Sequence, residues 1–155
     1  MILSGRPSSL PRKILVAVEG SEPSLRDSSM KAVDYALNFA SVAGADMMAV
    51  CVVQIPEYIE ENTRESLRRE LFAKSQGTLE EVARRATAPR VKCETQVLET
   101  NGAIATTICN FASKKGIDLI ILGTRSSTSS LTKMMLGSVA AGVASNAECP
   151  VLVVR

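Results

Sequence analysis

The chain contains no histidine. That removes the commonest general base near neutral pH and the commonest zinc ligand, and so excludes a Ser-His-Asp triad or a His-ligated metal centre. Aromatic residues make up only 3% of the chain, against 46% apolar residues overall. The core must therefore be assembled from Val, Ile, Leu, Ala and Met, which suits a parallel sheet covered by helices on both faces. An excess of one charge is also missing: the formal balance is +2, with Lys and Arg scattered along the chain. A small basic patch at Arg6, Arg12 and Lys13 has no interleaved aromatics on which bases could stack. Neither nucleic acid nor an anionic membrane is expected as a partner.

No uninterrupted apolar run approaches the ~18 residues of a membrane span. Residues 1–11 include two Pro, one Gly and three Ser and no long apolar stretch. They read as a flexible N-terminal tail rather than a signal peptide, and a cytoplasmic protein is the expectation. None of Cys51, Cys93, Cys109 and Cys149 lies in a CxxC pair, and each sits in or beside an apolar stretch. Four buried, reduced thiols are expected, not a disulfide framework.

The length of 155 residues fits one domain, over 12–155, with enough chain to bury a core. Lys13–Glu19 (KILVAVE) reads as a buried strand ending at a Gly20-Ser21 turn. Ser21 or Ser24 then offers a helix cap, and Met30, Val33, Ala36, Leu37 and Ala40 recur at helical spacing until Gly44. Met47–Val53 is a second buried strand. A charged helix follows from about Asn62 to Arg85, with a stripe of Leu67, Leu71, the Lys74 stem, Thr78, Leu79 and Val82, and Pro89 beyond it. Val91–Leu98 alternates apolar and polar residues, as a strand near a sheet edge does. Ala103–Lys115 reads as a helix closed by Gly116, Asp118–Leu122 as the fourth strand, Met134–Ala147 as the last helix and Pro150–Val154 as the last strand. This β-α alternation predicts an α/β fold: a five-stranded, parallel, doubly wound sheet with helices on both faces.

Ligands of such sheets bind beyond the carboxyl ends of the strands, where strand order reverses. The segment after the fourth strand, from Gly123 to Ser138, is glycine at its opening and Gly-Ser at its close, with Ser126, Ser127, Ser129 and Ser130 between. Glycine lets a phosphate approach the backbone, and the following helix offers unpaired N–H groups at its N-terminus. Arg125 and Lys133 can add positive charge. Neither GxxxxGK[ST] nor GxGxxG is present.

Four stretches together resemble the universal stress proteins: KILVAVEGSEPS at Lys13–Ser24, LIILGTRSS at Leu119–Ser127, LGSVA at Leu136–Ala140 and ECPVLVVR at Glu148–Arg155. The resemblance covers Lys13 to Arg155 and implies a Rossmann-like fold of the adenine-nucleotide α-hydrolase-like type, a homodimer through the C-terminal strand, and ATP or a related adenine nucleotide as ligand. On that resemblance Ala17, Val18 and Glu19 contact the nucleotide at the end of strand one. The backbone of Val52 recognises adenine, Gly123 is the first loop glycine, and Gly137 and Ser138 hold the phosphates; Arg125, Ser126, Ser127 and Val139 complete the candidate nucleotide site. Glu19 can reach Mg²⁺ through the phosphates. Two departures stand out: Glu19 replaces the family's Asp, and Ser126 occupies the place of the middle loop glycine, with one extra residue before Gly137. A side chain there resists positive φ and close backbone approach. Alongside a nucleotide-binding stress regulator with an unknown protein partner, a nucleotide-free dimeric interaction module and a slow ATPase with Glu19 as base remain open.

Overall fold

The computed structural model describes residues 10–19, 23–124 and 136–155, and of residues 23–27 the backbone only. Within them the chain runs β1 (Lys13–Ala17), α1 (Pro23–Ala43), β2 (Asp46–Gln54), α2 (Glu61–Thr87), β3 (Cys93–Thr100), α3 (Ile104–Lys115), β4 (Leu119–Gly123), α4 (Ser138–Asn146) and β5 (Val151–Val154). All pairings are parallel, and the five strands lie in the order β3-β2-β1-β4-β5. The chain builds outward from β1 in one direction, then returns to lay β4 on the other side of β1. The order reverses between β1 and β4.

Side-chain alternation along the strands sorts the core into two layers. Ile14 and Val16 of β1, Met47, Ala49 and Cys51 of β2, and Leu119 and Ile121 of β4 face α1 and α2. Leu15, Val50, Ile120 and Leu122 face α3 and α4. Ile14, Leu15, Val16, Ile120 and Ile121 are all 0% exposed. Each contributes about 1.5–3 kcal/mol by leaving water, before chain entropy is set against it. The expected fold class is the observed one.

Several boundaries differ from the sequence expectation. β1 ends at Ala17, not Glu19. Pro23 is the first residue of α1, where its missing N–H costs nothing, so Ser24 lies inside the helix and does not cap it. Ser21 lies outside the described residues. On α2 the buried stripe is Ser75, Thr78, Leu79, Val82 and Ala86. Lys74 faces outward instead, its ammonium 3.1 Å from Glu70. β3 starts at Cys93 and extends to Thr100 as an edge strand. The last helix begins at Ser138, after an extended Gly137 with φ −62° and ψ 159°. Residues 134 and 135 are not among those described. Of the thiols, Cys51 is buried while Cys93, Cys109 and Cys149 are half-buried, and none of the four is in a disulfide.

Candidate functional site

The site is set by where β1 stops. Val18 N–H still donates to the Val50 carbonyl at 2.8 Å. The next rung of the ladder would join Val52 N–H to the Val18 carbonyl. That carbonyl instead accepts the buried Cys51 thiol at 3.3 Å, and β1 turns away. One residue on, Glu19 N–H donates to Ser29 Oγ at 2.8 Å. Even-numbered residues of β2 direct their peptide groups toward β1, as Asp46 N–H to the Arg12 carbonyl and Val18 N–H to the Val50 carbonyl show. Val52 belongs to this series. Its N–H and carbonyl therefore face the gap that β1 has vacated, with no partner in the ladder there among the described residues.

The far wall is built by β4. Thr124 N–H donates to the Val154 carbonyl at 3.0 Å, and the Thr124 carbonyl accepts a hydrogen bond from Ser28 Oγ. Gly123 lies so close to α1 that a Cβ built on it would stand 2.6 Å from the Ser28 carbonyl oxygen and 2.7 Å from Ser28 Oγ. Glycine at 123 is thus required by helix packing, whatever else approaches it. The third wall is the start of α4. Gly137 caps it without a side-chain hydrogen bond, its carbonyl accepting from Ala141 N–H at 2.9 Å. The N–H groups of Ser138, Val139 and Ala140 belong to the first turn, which has no carbonyl within the helix to receive them.

These elements enclose one cleft of about 640 Å³, its open mouth included. Its apolar lining is Ala17, Val18, Val50, Val52, Ile108, Leu122, Val139 and Ala140, and its polar lining is Glu19, Ser28, Ser29, Thr124, Gly137 and Ser138, with Gly123 between. The structure thus brings together eight of the residues singled out in the sequence: Ala17, Val18, Glu19, Val52, Gly123, Gly137, Ser138 and Val139. Arg125, Ser126, Ser127 and Lys133 lie outside the described residues. Sequence reasoning missed Ser28, Ser29 and Thr124 on the walls and Ile108 in the floor. Ser29 carried a signal, because it stands four residues before Val33 on the apolar stripe of α1. A buried serine there has to find a hydrogen-bond partner, and Glu19 N–H is that partner.

Among the described residues the cleft offers an apolar slot, a peptide edge without a ladder partner on one side and, on the other, helix N-terminal N–H groups that the helix itself does not receive. Such a set suits a flat, hydrogen-bonding ring carrying an anionic tail. Among the described residues no group of three or more Cys, Asp or Glu side chains is arranged to hold a metal ion directly. None of the described helices is long and apolar enough to cross a membrane.

Comparison with known proteins agrees with this architecture. The model of the universal stress protein family matches residues 11–155. A universal stress protein of Methanocaldococcus jannaschii is 37% identical over 149 residues, covering 94% of this chain and 83% of that protein. YxiE, a universal stress protein of Bacillus subtilis, is 35% identical over 157 residues, covering 92% and 98%. The solved structure of the universal stress protein UspA from Lactobacillus plantarum superposes with a TM-score of 0.74 at 27% identity, covering 93% of this chain and 97% of that one.

Proposed function

This chain belongs to the universal stress protein family, and from that premise we propose that it binds an adenine nucleotide, ATP or a close relative, in the cleft between β1 and β4. It acts as a stress-response regulator through a protein partner, in the cytoplasm, and not as a fast enzyme. The observation that carries this reading is the open peptide edge at Val52. Adenine sets a ring-nitrogen acceptor beside an amino donor, the complement of one peptide N–H and one carbonyl facing the same way. Val50, Ile108, Leu122 and Val139 provide apolar surface for the ring. Gly137, Ser138 and the first turn of α4 receive the phosphates, with Arg125, Ser126 and Ser127 in the intervening segment.

Solved universal stress proteins of this fold have been captured with cAMP, with dAMP in the Archaeoglobus fulgidus protein, and with AMP in the Arabidopsis thaliana protein. Those ligands support the adenine class for this cleft. Mg²⁺, where it accompanies the nucleotide, neutralises phosphate charge, and Glu19 on the cleft wall is the carboxylate that would take part.

The test is a thermal titration of the whole chain with ATP and Mg²⁺, set beside GTP. Ligand at a hundredfold its Kd stabilises by about 2.7 kcal/mol, so a clear rise in melting temperature is expected with ATP. Guanine presents the opposite donor and acceptor order and should give little. No rise at millimolar ATP, or an equal rise with GTP, overturns the reading.

Homodimerisation through β5 is part of the same proposal. Val151–Val154 is an outer strand with four half-buried apolar residues, and unpaired apolar edges invite a second copy about a two-fold axis. Sedimentation at micromolar concentration should show a dimer, and a monomer there rejects it. A nucleotide-free dimeric module is the alternative favoured by Ser126 at the glycine position. Absence of nucleotide in mass spectra of gently purified protein, together with a flat titration, would select it. Slow ATP hydrolysis based on Glu19 is ruled out if Glu19→Gln retains full turnover.

A further inference from the structure

The peptide between Val18 and Glu19 lies at the lip of the cleft, and side chains take up both of its polar groups. Its carbonyl accepts the Cys51 thiol at 3.3 Å, and its N–H donates to Ser29 Oγ at 2.8 Å. Cys51 comes from β2 and Ser29 from α1, so the peptide is held from the sheet and from a helix at once. Both partners are buried, Cys51 2% and Ser29 5% exposed, and Cys51 and Val18 belong to the apolar layer under α1 and α2. A polar group left unmatched in such a layer is unfavourable, so each of these bonds specifies a geometry. The N–H of Val18 itself still follows the ladder, reaching the Val50 carbonyl at 2.8 Å. The departure from β2 is therefore confined to one peptide. Neither Val18 nor Glu19 has a positive φ, so the local backbone does not impose it.

We propose that Cys51 and Ser29 are positioning residues: together they clamp the Val18–Glu19 peptide away from β2, which leaves the Val52 N–H to the ligand. The proposal rests on the adenine-binding reading given above. With both side chains truncated, the Val18 carbonyl loses its donor. The donor that continuation of the ladder supplies is Val52 N–H. β1 then lengthens by one bond, and the amide that was to meet the adenine ring is taken up from within the chain. A thiol is a weak donor and a peptide N–H a stronger one, so the open arrangement needs its second hold at Ser29. That bond also fixes the main chain of Glu19, whose side chain lines the cleft wall.

The test reads hydrogen exchange at the Val52 amide of the whole chain without nucleotide, and ATP affinity separately by calorimetry. Combining Cys51→Ala with Ser29→Ala should slow Val52 exchange and weaken ATP binding, each by about tenfold, the worth of one hydrogen bond. A merely structural loss acts the other way, because destabilisation speeds exchange. Cys51→Ser keeps a donor at the position and should recover most of what Cys51→Ala changes. If the double variant does not fold, Cys51→Ala alone carries the same test on the carbonyl. Unchanged or faster Val52 exchange overturns the proposal, whatever happens to ATP. Slowed exchange with ATP affinity intact overturns it as well, since the edge then does not serve the ligand. Slowed exchange in a chain whose parent never binds ATP supports the clamp and overturns the nucleotide reading instead.

Discussion

Replacing Gly123 by Ala separates two reasons for a glycine at the end of β4. One is room for a phosphate, and the other is room for α1. The built Cβ falls 2.6 Å from the Ser28 carbonyl oxygen, 2.7 Å from its Oγ and 3.0 Å from its carbonyl carbon. Comfortable contact begins near ~3.5 Å, so α1 and β4 have to part by most of an ångström. Two of the three atoms are main chain, in a helix whose buried side packs on the sheet, and cannot swing aside. Gly123 is not among the positive-φ residues, so the whole penalty is overpacking, about 1–3 kcal/mol. For a chain of this length that is a fall in Tm of about 2–4 °C per kcal/mol.

The assay is urea unfolding without nucleotide, with Gly102→Ala as control, because its Cβ would meet only Thr100 Oγ1 at 3.7 Å. Ser28→Ala in the Gly123→Ala background should restore little, since the carbonyl contact stays and the hydrogen bond to the Thr124 carbonyl is lost. A Gly123→Ala protein of unchanged stability that merely binds ATP poorly would refute the packing argument.

Three further outcomes follow from the same geometry. Gly142→Ala sets a Cβ 2.6 Å from that of Ala105 and should cost about 1–3 kcal/mol; adding Ala105→Gly should recover part of it in the same urea midpoint. Gly77, inside α2 with nothing within 4 Å of its built Cβ, should go the other way, Gly77→Ala raising stability by about 0.5–1 kcal/mol. Glu99 is clasped by Arg68 at 2.6 and 3.2 Å, and that guanidinium holds its carboxyl below the ordinary range. A lowered acid contributes stability above its unfolded pKa, near ~4.3, and loses it as pH falls through the folded value. Glu99→Gln should therefore be slightly less stable than the parent at pH 7, and the difference should vanish toward the acid end and shrink in high salt.

The strands were legible because a sheet buried on both faces writes itself as short apolar runs: KILVA, MMAVCVV and LIIL need no tertiary knowledge. Boundaries were less so. β1 looks two residues longer than it is, since nothing in VAVE announces that the Val18 carbonyl will turn to the Cys51 thiol. Gly123 was legible as a special position but for a different reason, because its neighbour Ser28 is distant in sequence and α1 had to be docked before the contact existed. Spacing alone puts Lys74 on the buried stripe of α2, and its pairing with Glu70 shows the outward side. Ile108 stands on an apolar helix face in the sequence, yet only the strand order carries that face beneath the cleft.

Main-chain atoms at position 52 are indifferent to what hangs from them. Any amino acid but proline keeps both the donor and the acceptor, and no valine codon becomes a proline codon by a single base change. Isoleucine or alanine at 52 alters the slot's width while leaving its polar edge in place. The vacancy beside β2 is therefore a property of where its neighbour ends, robust to drift at its own codon and exposed instead to changes around Val18 and Cys51 that let β1 run on by one more rung.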